Sequence, residues 1–218
     1  MKHGWLIVSL ALVVAGCQKA PEAKCPPASQ ADASASAPAA PPPEAAPVDP
    51  KLAEKKAALD YATMESTYLN DPKGQWASAA TASSTFGETG SNGASDVNKP
   101  KNLVGKPDER EWTNDHQDMG FDNIETTFEK PVHATEVRAV FRDGVAAVSK
   151  LELKGADGAY TTIWSGVNED PEERRGPRHW FVRKFDRTAN PVVGVKITLA
   201  NTVDHGYKVV DAVQLVGE

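Results

Sequence analysis

Residues 148–166 read VSKLELKGADGAYTTIWSG, and this stretch decides the fold class of the chain. Two runs of alternating polar and apolar residues flank Asp157-Gly158, a dipeptide that favours the tight turn of a β-hairpin. Further runs of the same kind lie on both sides of the hairpin, with no helical period between them. They are HATEVRAVF (133–141), HWFVRKF (179–185), VVGVKITLA (192–200) and YKVVDAVQLVG (207–217). Strands at this short spacing predict a mostly β protein, a jelly roll or β-sandwich.

The last of these predicted strands contains a single acidic residue, Asp211, among valines. In an ideal strand Asp211 shares a face with Val209, Val213 and Leu215. Burying an unpaired carboxylate costs several kcal/mol, so we expect Asp211 to have a partner. Backbone N–H donors, a basic side chain, a metal ion or a position at the open end of the strand would each satisfy it.

The chain begins with a short apolar run from Trp5 to Ala15, behind a basic start. This run is shorter than the ~20 residues that a membrane-spanning helix needs. Its length and position therefore predict that residues 1–16 are a cleaved signal peptide.

The apolar run ends in VVAGC, residues 13–17, which resembles the lipobox of bacterial lipoproteins. The resemblance implies cleavage before Cys17, lipidation of its thiol and acylation of the new amino terminus, which together anchor a protein in a membrane. Gln18 stands where an aspartate would signal retention in the inner membrane, so the resemblance implies the outer membrane, at its periplasmic face or at the cell surface. An ordinary secretory peptide with a chance cysteine is the alternative.

Between this motif and the β-strands, the sequence predicts a disordered tether, 17–50, and one helix, 51–71. Residues 18–50 contain 11 alanines and 9 prolines among 33 residues, a composition that cannot build a core. Residues 51–69 are good helix formers, with Asp49 as N-cap before Pro50. The apolar stripe of the helix is thin, so we expect it to pack loosely on the β domain or to act as a stalk.

Charge and motifs narrow the function classes. The formal net charge is −6, which argues against a nucleic-acid partner because such proteins present a basic face. The sequence contains neither G-x-S-x-G nor H-E-x-x-H, and we expect no enzymatic activity. A glycosidase with paired carboxylates stays open as an alternative, since such pairs form in space and not in sequence.

The order of motifs over residues 75–217 is similar to that of discoidin-type domains, the coagulation factor 5/8 type C or galactose-binding-like family. The motifs are WASAATASSTFGE (76–88), NLVGKPDEREW (102–112), IETTFEKPVHATEVRAVF (124–141), KLELKGADGAYTTIWSG (150–166), VGVKITLA (193–200) and VVDAVQLVG (209–217). The resemblance implies that residues 74–218 form an eight-stranded jelly roll. It also implies a non-catalytic domain that binds carbohydrates, lipids or proteins through loops at one end.

The same resemblance implies a structural calcium site, with Asp108 and Asp211 as ligands. Calcium takes six to eight oxygen ligands and tolerates irregular loops. The family often has Asp-Gly in the early loop, whereas this chain has Glu109 after Asp108. Backbone N–H donors or an arginine on Asp211 are the alternative to calcium.

Two stretches are candidates for ligand binding. In WTNDHQDMGFDN, residues 112–123, an aromatic ring stands beside carboxylates and amides, a combination that suits a sugar; its candidate residues are Trp112, Asp115, His116 and Asp118. In EERRGPRHWFVRKF, residues 172–185, Arg178 and Trp180 are candidates for binding an anionic group. The alternatives are a solvated acidic loop with Trp112 in the core, and a second stretch whose charges neutralise one another.

Together these features predict a lipid-anchored envelope protein whose jelly roll binds a carbohydrate or a glycan-bearing ligand. The alternative is a structural lipoprotein that docks onto another envelope protein.

Overall fold

The computed structural model describes residues 49–169 and 175–218. The predicted signal peptide, Cys17 and nearly all of the predicted tether lie outside these residues.

The helix is present and spans Pro50–Leu69 (α1), ending two residues earlier than expected. The Asp49 carboxylate accepts the backbone N–H of Lys51 at 3.0 Å, and Pro50 occupies the first turn, where its missing N–H costs nothing. Among the residues described, no helix is long and apolar enough to cross a membrane.

The rest of the described chain forms two antiparallel sheets, which confirms the predicted jelly-roll β-sandwich. The first sheet has the order β1 (Gly74–Trp76), β10 (Val209–Gly217), β5 (Ala134–Asp143) and β8 (His179–Lys184), with β3 (Trp112–Thr113) also paired to β10. The second has the order β2 (Ala79–Ala82), β4 (Phe121–Val132), β9 (Val192–Ala200), β6 (Val148–Gly155) and β7 (Tyr160–Ser165).

The predicted hairpin forms between β6 and β7, where Leu153 pairs with Thr161. Gly158 in its turn has a φ of 83°, a left-handed conformation that glycine adopts without steric cost. Strands β1, β2, β3 and β4 are not among those predicted from the sequence, and β4 is the longest strand in the described part of the chain, with 12 residues. The first residues of β4 belong to the stretch 112–123, which the sequence analysis treats as a polar loop.

The core lies between the sheets and consists of alternate residues of the facing strands. Its largest fully buried members include Trp112, Phe141, Phe181, Ile197 and Leu215. A second, smaller cluster lies on the outer face of the first sheet, where α1 covers it.

The C-terminal half of α1 packs on the first sheet more firmly than expected. Tyr61 is buried against Val140, Trp180 and Ala212, and Met64, Tyr68 and Leu69 are half-buried beside it. Gly176 lies so close to the Tyr61 ring that a Cβ there would come within 2.5 Å of it. The N-terminal half of α1 is exposed.

Strand β10 contains a β-bulge at Asp211, which changes the expected alternation. Val210 pairs with Phe141 and Ala212 pairs with Val140, so Asp211 is the extra residue between them. Val213 and Leu215 therefore belong to the core, whereas Asp211 contacts a loop and an arginine. The expectation that these three residues share one face is wrong, because period-2 reasoning does not anticipate a bulge.

Candidate functional site

Three loops meet at the end of the sandwich where β4 and β10 begin and β9 ends. They are residues 84–90, 114–120 and 201–207, and we call their exposed side the loop surface. The backbone N–H of Gly206 donates to Asp118 Oδ1 at 2.9 Å, and the N–H of Asn201 donates to the Gly120 carbonyl at 3.0 Å. The N–H of Gly87 donates to Asp115 Oδ1 at 3.1 Å, which joins the first loop to the second.

A buried carboxylate, Asp122, holds these loops from below. It accepts hydrogen bonds from Ser83 and Ser84 hydroxyls at 2.8 and 2.7 Å, and from the amides of Asn114 and Asn201 at 3.0 and 2.9 Å. Burial alone would raise the pKa of Asp122, but the donors, Ser84 foremost, outweigh it and the pKa is lowered. Asp122 is therefore an ionised anchor and not a group that contacts ligand.

A buried cation, Lys208, lies beside this anchor. Its side chain has no exposed surface, and its ammonium donates to the carbonyls of Gln117, Asn201, Asp204 and Gly206. Burial lowers the pKa of Lys208, because a buried ammonium loses its hydration. One side chain thus joins two of the three loops, which makes the loop surface a pre-organised platform.

The platform exposes rings and polar groups together. The Phe86 and Tyr207 rings meet edge to face, with centroids 4.9 Å apart, and Phe86 is 40% exposed. Met119, Phe121 and Val203 are exposed at the same end of the sandwich. These apolar side chains have no covering element in the part of the chain that the structure describes.

Polar side chains border the rings. His116 is largely exposed, with Nδ1 3.6 Å from Asp122 Oδ2, and His205 Nδ1 lies 3.4 Å from Asp118 Oδ1. The pKa of Asp118 is lowered, chiefly by the Gly206 N–H. Rings beside hydrogen-bonding groups can cover the apolar face of a sugar and bind its hydroxyls.

Of the four residues predicted in this region, three lie at the loop surface and one does not. Asp118 and His116 are exposed there, and Asp115 is half-buried, with its carboxylate committed to Gly87 and Thr89. Trp112 is fully buried, and its Nε1–H donates to the Ser84 carbonyl at 2.9 Å. The proposal that Trp112 stacks on a sugar is therefore corrected: its ring belongs to the core.

The predicted anion site is not assembled either. Trp180 is 1% exposed, and its ring lies 5.2 Å from that of Tyr68 under α1. Arg178 Nη1 lies 3.2 Å from Glu65 Oε1, and its Nε lies 3.7 Å from Asp211 Oδ2. Arg178 therefore connects α1 to β10 between two carboxylates, so its charge is already compensated within the protein.

These contacts also answer the question of Asp211. Its carboxylate accepts the backbone N–H of Asp108 at 3.1 Å and of Glu109 at 3.3 Å, with the Arg178 guanidinium beside them. Burial raises the pKa of Asp211, while these donors oppose the rise.

The residues around Asp211 do not fit a calcium ion. Calcium requires oxygen lone pairs, but hydrogen-bond donors and a cation face Asp211. The Asp108 carboxylate turns instead to Arg110, with which it forms an ion pair. Within residues 49–169 and 175–218, no group of three or more His, Cys, Asp or Glu side chains could hold a metal ion.

Sequence reasoning missed Lys208, Asn201 and the ring pair of Phe86 and Tyr207. Lys208 carried a weak signal, since it directly precedes the most apolar strand. The rings carried none, because residues 86 and 207 become neighbours only in the folded chain.

Comparison with solved structures confirms the fold. Chitosan-binding module 1 from a chitosanase/glucanase of Paenibacillus sp. IK-5 matches with a TM-score of 0.50 and 12% identity, covering 64% of this chain and 95% of that one. The CBM32-1 and CBM32-2 domains of Clostridium perfringens ZmpB match with a TM-score of 0.51 and 11% identity, covering 72% of this chain and 38% of that one. No protein-family model and no curated protein matches the chain.

Proposed function

We propose that the jelly roll is a non-catalytic module that binds carbohydrate at the loop surface. The observation that carries the proposal is the partly exposed Phe86–Tyr207 ring pair on loops held from below by Asp122 and Lys208. A ring pair of this kind covers the apolar face of a pyranose, and the nearby Asp118 and His116 bind hydroxyls. The fold likeness to modules described as chitosan-binding supports the same class of ligand.

The charge of the loop surface narrows this ligand class. The acidic residues Glu88, Asp115, Asp118 and Asp204 lie in its three loops, whereas Lys208, the basic residue next to them, is buried. Uronic acids and sulfated sugars would meet like charge there. The ligand is therefore a neutral or amino sugar.

Calorimetric titration with chitotriose, galactose and galacturonate oligomers tests the proposal. We expect binding of a neutral or amino sugar but not of galacturonate, and a loss of about tenfold or more in affinity for Phe86→Ala and Tyr207→Ala. Leu59→Ala, an equally simple truncation of an exposed apolar side chain on α1, should bind like the parent. If all three sugars fail to bind the folded protein, or if the three variants behave alike, the proposal is wrong.

We further propose that Cys17 is lipidated and anchors the module at the outer membrane, which would place the loop surface within reach of envelope glycans. The lipobox-like VVAGC and the alanine- and proline-rich residues that follow it support this. Cys17→Ser should move the protein from the membrane fraction to the soluble fraction. Unchanged partition of that variant with membranes would contradict the anchor.

A further inference from the structure

A second cleft opens at the end of the sandwich opposite the loop surface. It has a volume of about 650 Å³ and lies between the β6–β7 turn and the connection from β8 to β9. This is the end where β6 finishes and β9 begins, so the cleft shares no residue with the three loops above. Its volume is in the range of small-ligand sites.

The lining of the cleft combines an apolar floor with an acidic rim. Leu153, Ile163 and Val192 form the floor, and Asp157 and Asp186 contribute carboxylates from two different loops. Asp157 uses Oδ1 to accept the N–H of Ala159 at 3.0 Å, which leaves its second oxygen for other contacts. No lysine, arginine or histidine is among the described residues that line the cleft.

The cleft adjoins a sheet edge that lacks the usual protection. β7 is the last strand of the second sheet, and its sequence YTTIWS contains neither a charged residue nor a proline. Natural sheets normally protect such edges with charges, prolines or bulges. β8, at the edge of the first sheet, has His179, Arg183 and Lys184, whereas β7 has only a bulge near Ile163, beyond its exposed residues 160–162.

The pairing register of β6 and β7 shows which side chains of this edge face the cleft. Thr161 pairs with Leu153, a core residue, so both point toward the space between the sheets. Side chains at the same register on neighbouring strands lie on the same face of a sheet. A strand added to β7 would therefore direct the residue opposite Thr161 toward the cleft.

We propose that β7 and this cleft bind an extended peptide segment of a partner protein that inserts a lysine side chain. The backbone of the segment adds a strand to β7, the mode by which exposed sheet edges recognise peptides. The lysine methylenes lie on the apolar floor, and the ammonium reaches the carboxylates of the rim. A glutamate at the same position would meet like charge.

An NMR titration of the ¹⁵N-labelled full chain tests the proposal. The probes are the capped pentapeptide Thr-Thr-Lys-Thr-Thr and its counterpart with a central glutamate. We expect millimolar or tighter binding of the lysine peptide, with shift changes confined to β7 and to the cleft residues 153–159 and 186–192, and none for the glutamate peptide. Absence of binding, equal binding of both peptides, or shift changes elsewhere would overturn the proposal.

Two matched lysine variants distinguish the effect of a cation inside the cleft from the effect of a change in the protein's net charge. Thr161→Lys places a cation in the cleft and should weaken binding of the lysine peptide at least tenfold. Thr162→Lys adds the same charge to the opposite face, because Thr162 pairs with Glu152, which is ion-paired to Lys150 outside the core. It should change affinity less than twofold, and equal losses in both variants would contradict the cleft.

A third variant tests the rim. Asp186→Asn should weaken binding about two- to fivefold, the size of an exposed ion pair. Undiminished affinity in this variant would show that the rim carboxylate of Asp186 plays no part and would overturn the assigned lysine recognition. None of these outcomes bears on the loop surface, so the carbohydrate proposal and this one fail separately.

Discussion

Two regions at the start of β10 bury opposite charges only three residues apart, and they do so by different means. Lys208 places its ammonium among four backbone carbonyls, and no carboxylate hydrogen-bonds to it among the residues described. Asp211 receives two backbone N–H groups and a flanking guanidinium. Burial shifts both pKa values toward neutrality, down for Lys208 and up for Asp211.

The two regions stabilise different parts of the protein. The Lys208 region joins loops of the jelly roll to one another, so it stabilises the loop surface from within. The Asp211 region reaches Glu65 of α1 through Arg178, so it couples the helix to the sheet. In both regions the cation is a side chain of the protein. At Asp211 the family resemblance implied a metal ion instead.

Loss of the Lys208 ammonium should lower the stability of the protein more than loss of the Asp211 carboxylate. Lys208→Met keeps the length of the side chain but leaves the four carbonyls without their shared donor. We expect a loss of about 3 to 5 kcal/mol in the free energy of unfolding, because buried polar groups lose their partner. Urea unfolding measures it, with Lys130→Met, an exposed lysine, as the control that should stay within about 0.5 kcal/mol of the parent. Equal stability of the two variants would mean that the buried ammonium is not structural.

The next loss of stability is expected at Asp211, whose surroundings do not fit a calcium ion. Asp211→Ala removes the acceptor of two N–H groups and of Arg178, at a cost of about 1.5 to 3 kcal/mol. The parent should melt at the same temperature with calcium and with chelator. Calcium that binds only the folded state would instead raise the midpoint in proportion to RT ln(1 + [Ca²⁺]/Kd), and such a rise would contradict our assignment of the donors.

A smaller change in stability is expected at Glu109, in the loop whose N–H groups bind Asp211. Glu109 has a φ of 70°, the left-handed conformation that glycine adopts without steric cost. Glu109→Gly should therefore stabilise the protein by about 0.5 to 1 kcal/mol, which is the strain relieved less the added freedom of the unfolded chain. Glu109→Ala keeps the strain and should bring no gain. A gain of equal size in the alanine variant would point to the charge of Glu109 and not to its backbone.

Much of the fold could be predicted because it rests on local patterns. The Asp157-Gly158 hairpin, strands β5 to β10 and the capped helix all follow from periodicity, turn residues and capping, which act within a few residues. β4 was missed because its first residues, Phe121 and Asp122, continue a polar stretch of the sequence. They become part of a strand only by pairing with β9. The contact between α1 and the first sheet was underestimated, because the helical sequence pattern does not show which face of the sheet the helix covers. Four side chains of α1 pack on that face, those of Tyr61, Met64, Tyr68 and Leu69.

The candidate site was predicted less completely than the fold, because it depends on contacts between residues that are far apart in the sequence. The local sequence of a tryptophan beside carboxylates is the same whether its ring faces solvent or the core. The burial of Trp112 depends on the pairing of β3 with β10, which is distant in sequence. The partly exposed rings of Phe86 and Tyr207 are 121 positions apart in sequence, and only the fold brings them together.

Propensity, alternation and the cost of burying charge are local properties, so the amino-acid sequence alone predicts the β-rich class, the helix, the hairpin and the need of Asp211 for a partner. The identity of that partner follows only from the tertiary structure. The bulge at Asp211 turned its carboxylate toward the N–H groups of Asp108 and Glu109, and the loop after residue 174 brought Arg178 to it, 33 positions away in sequence. Long-range pairing sets the position of those donors, and no local pattern encodes it.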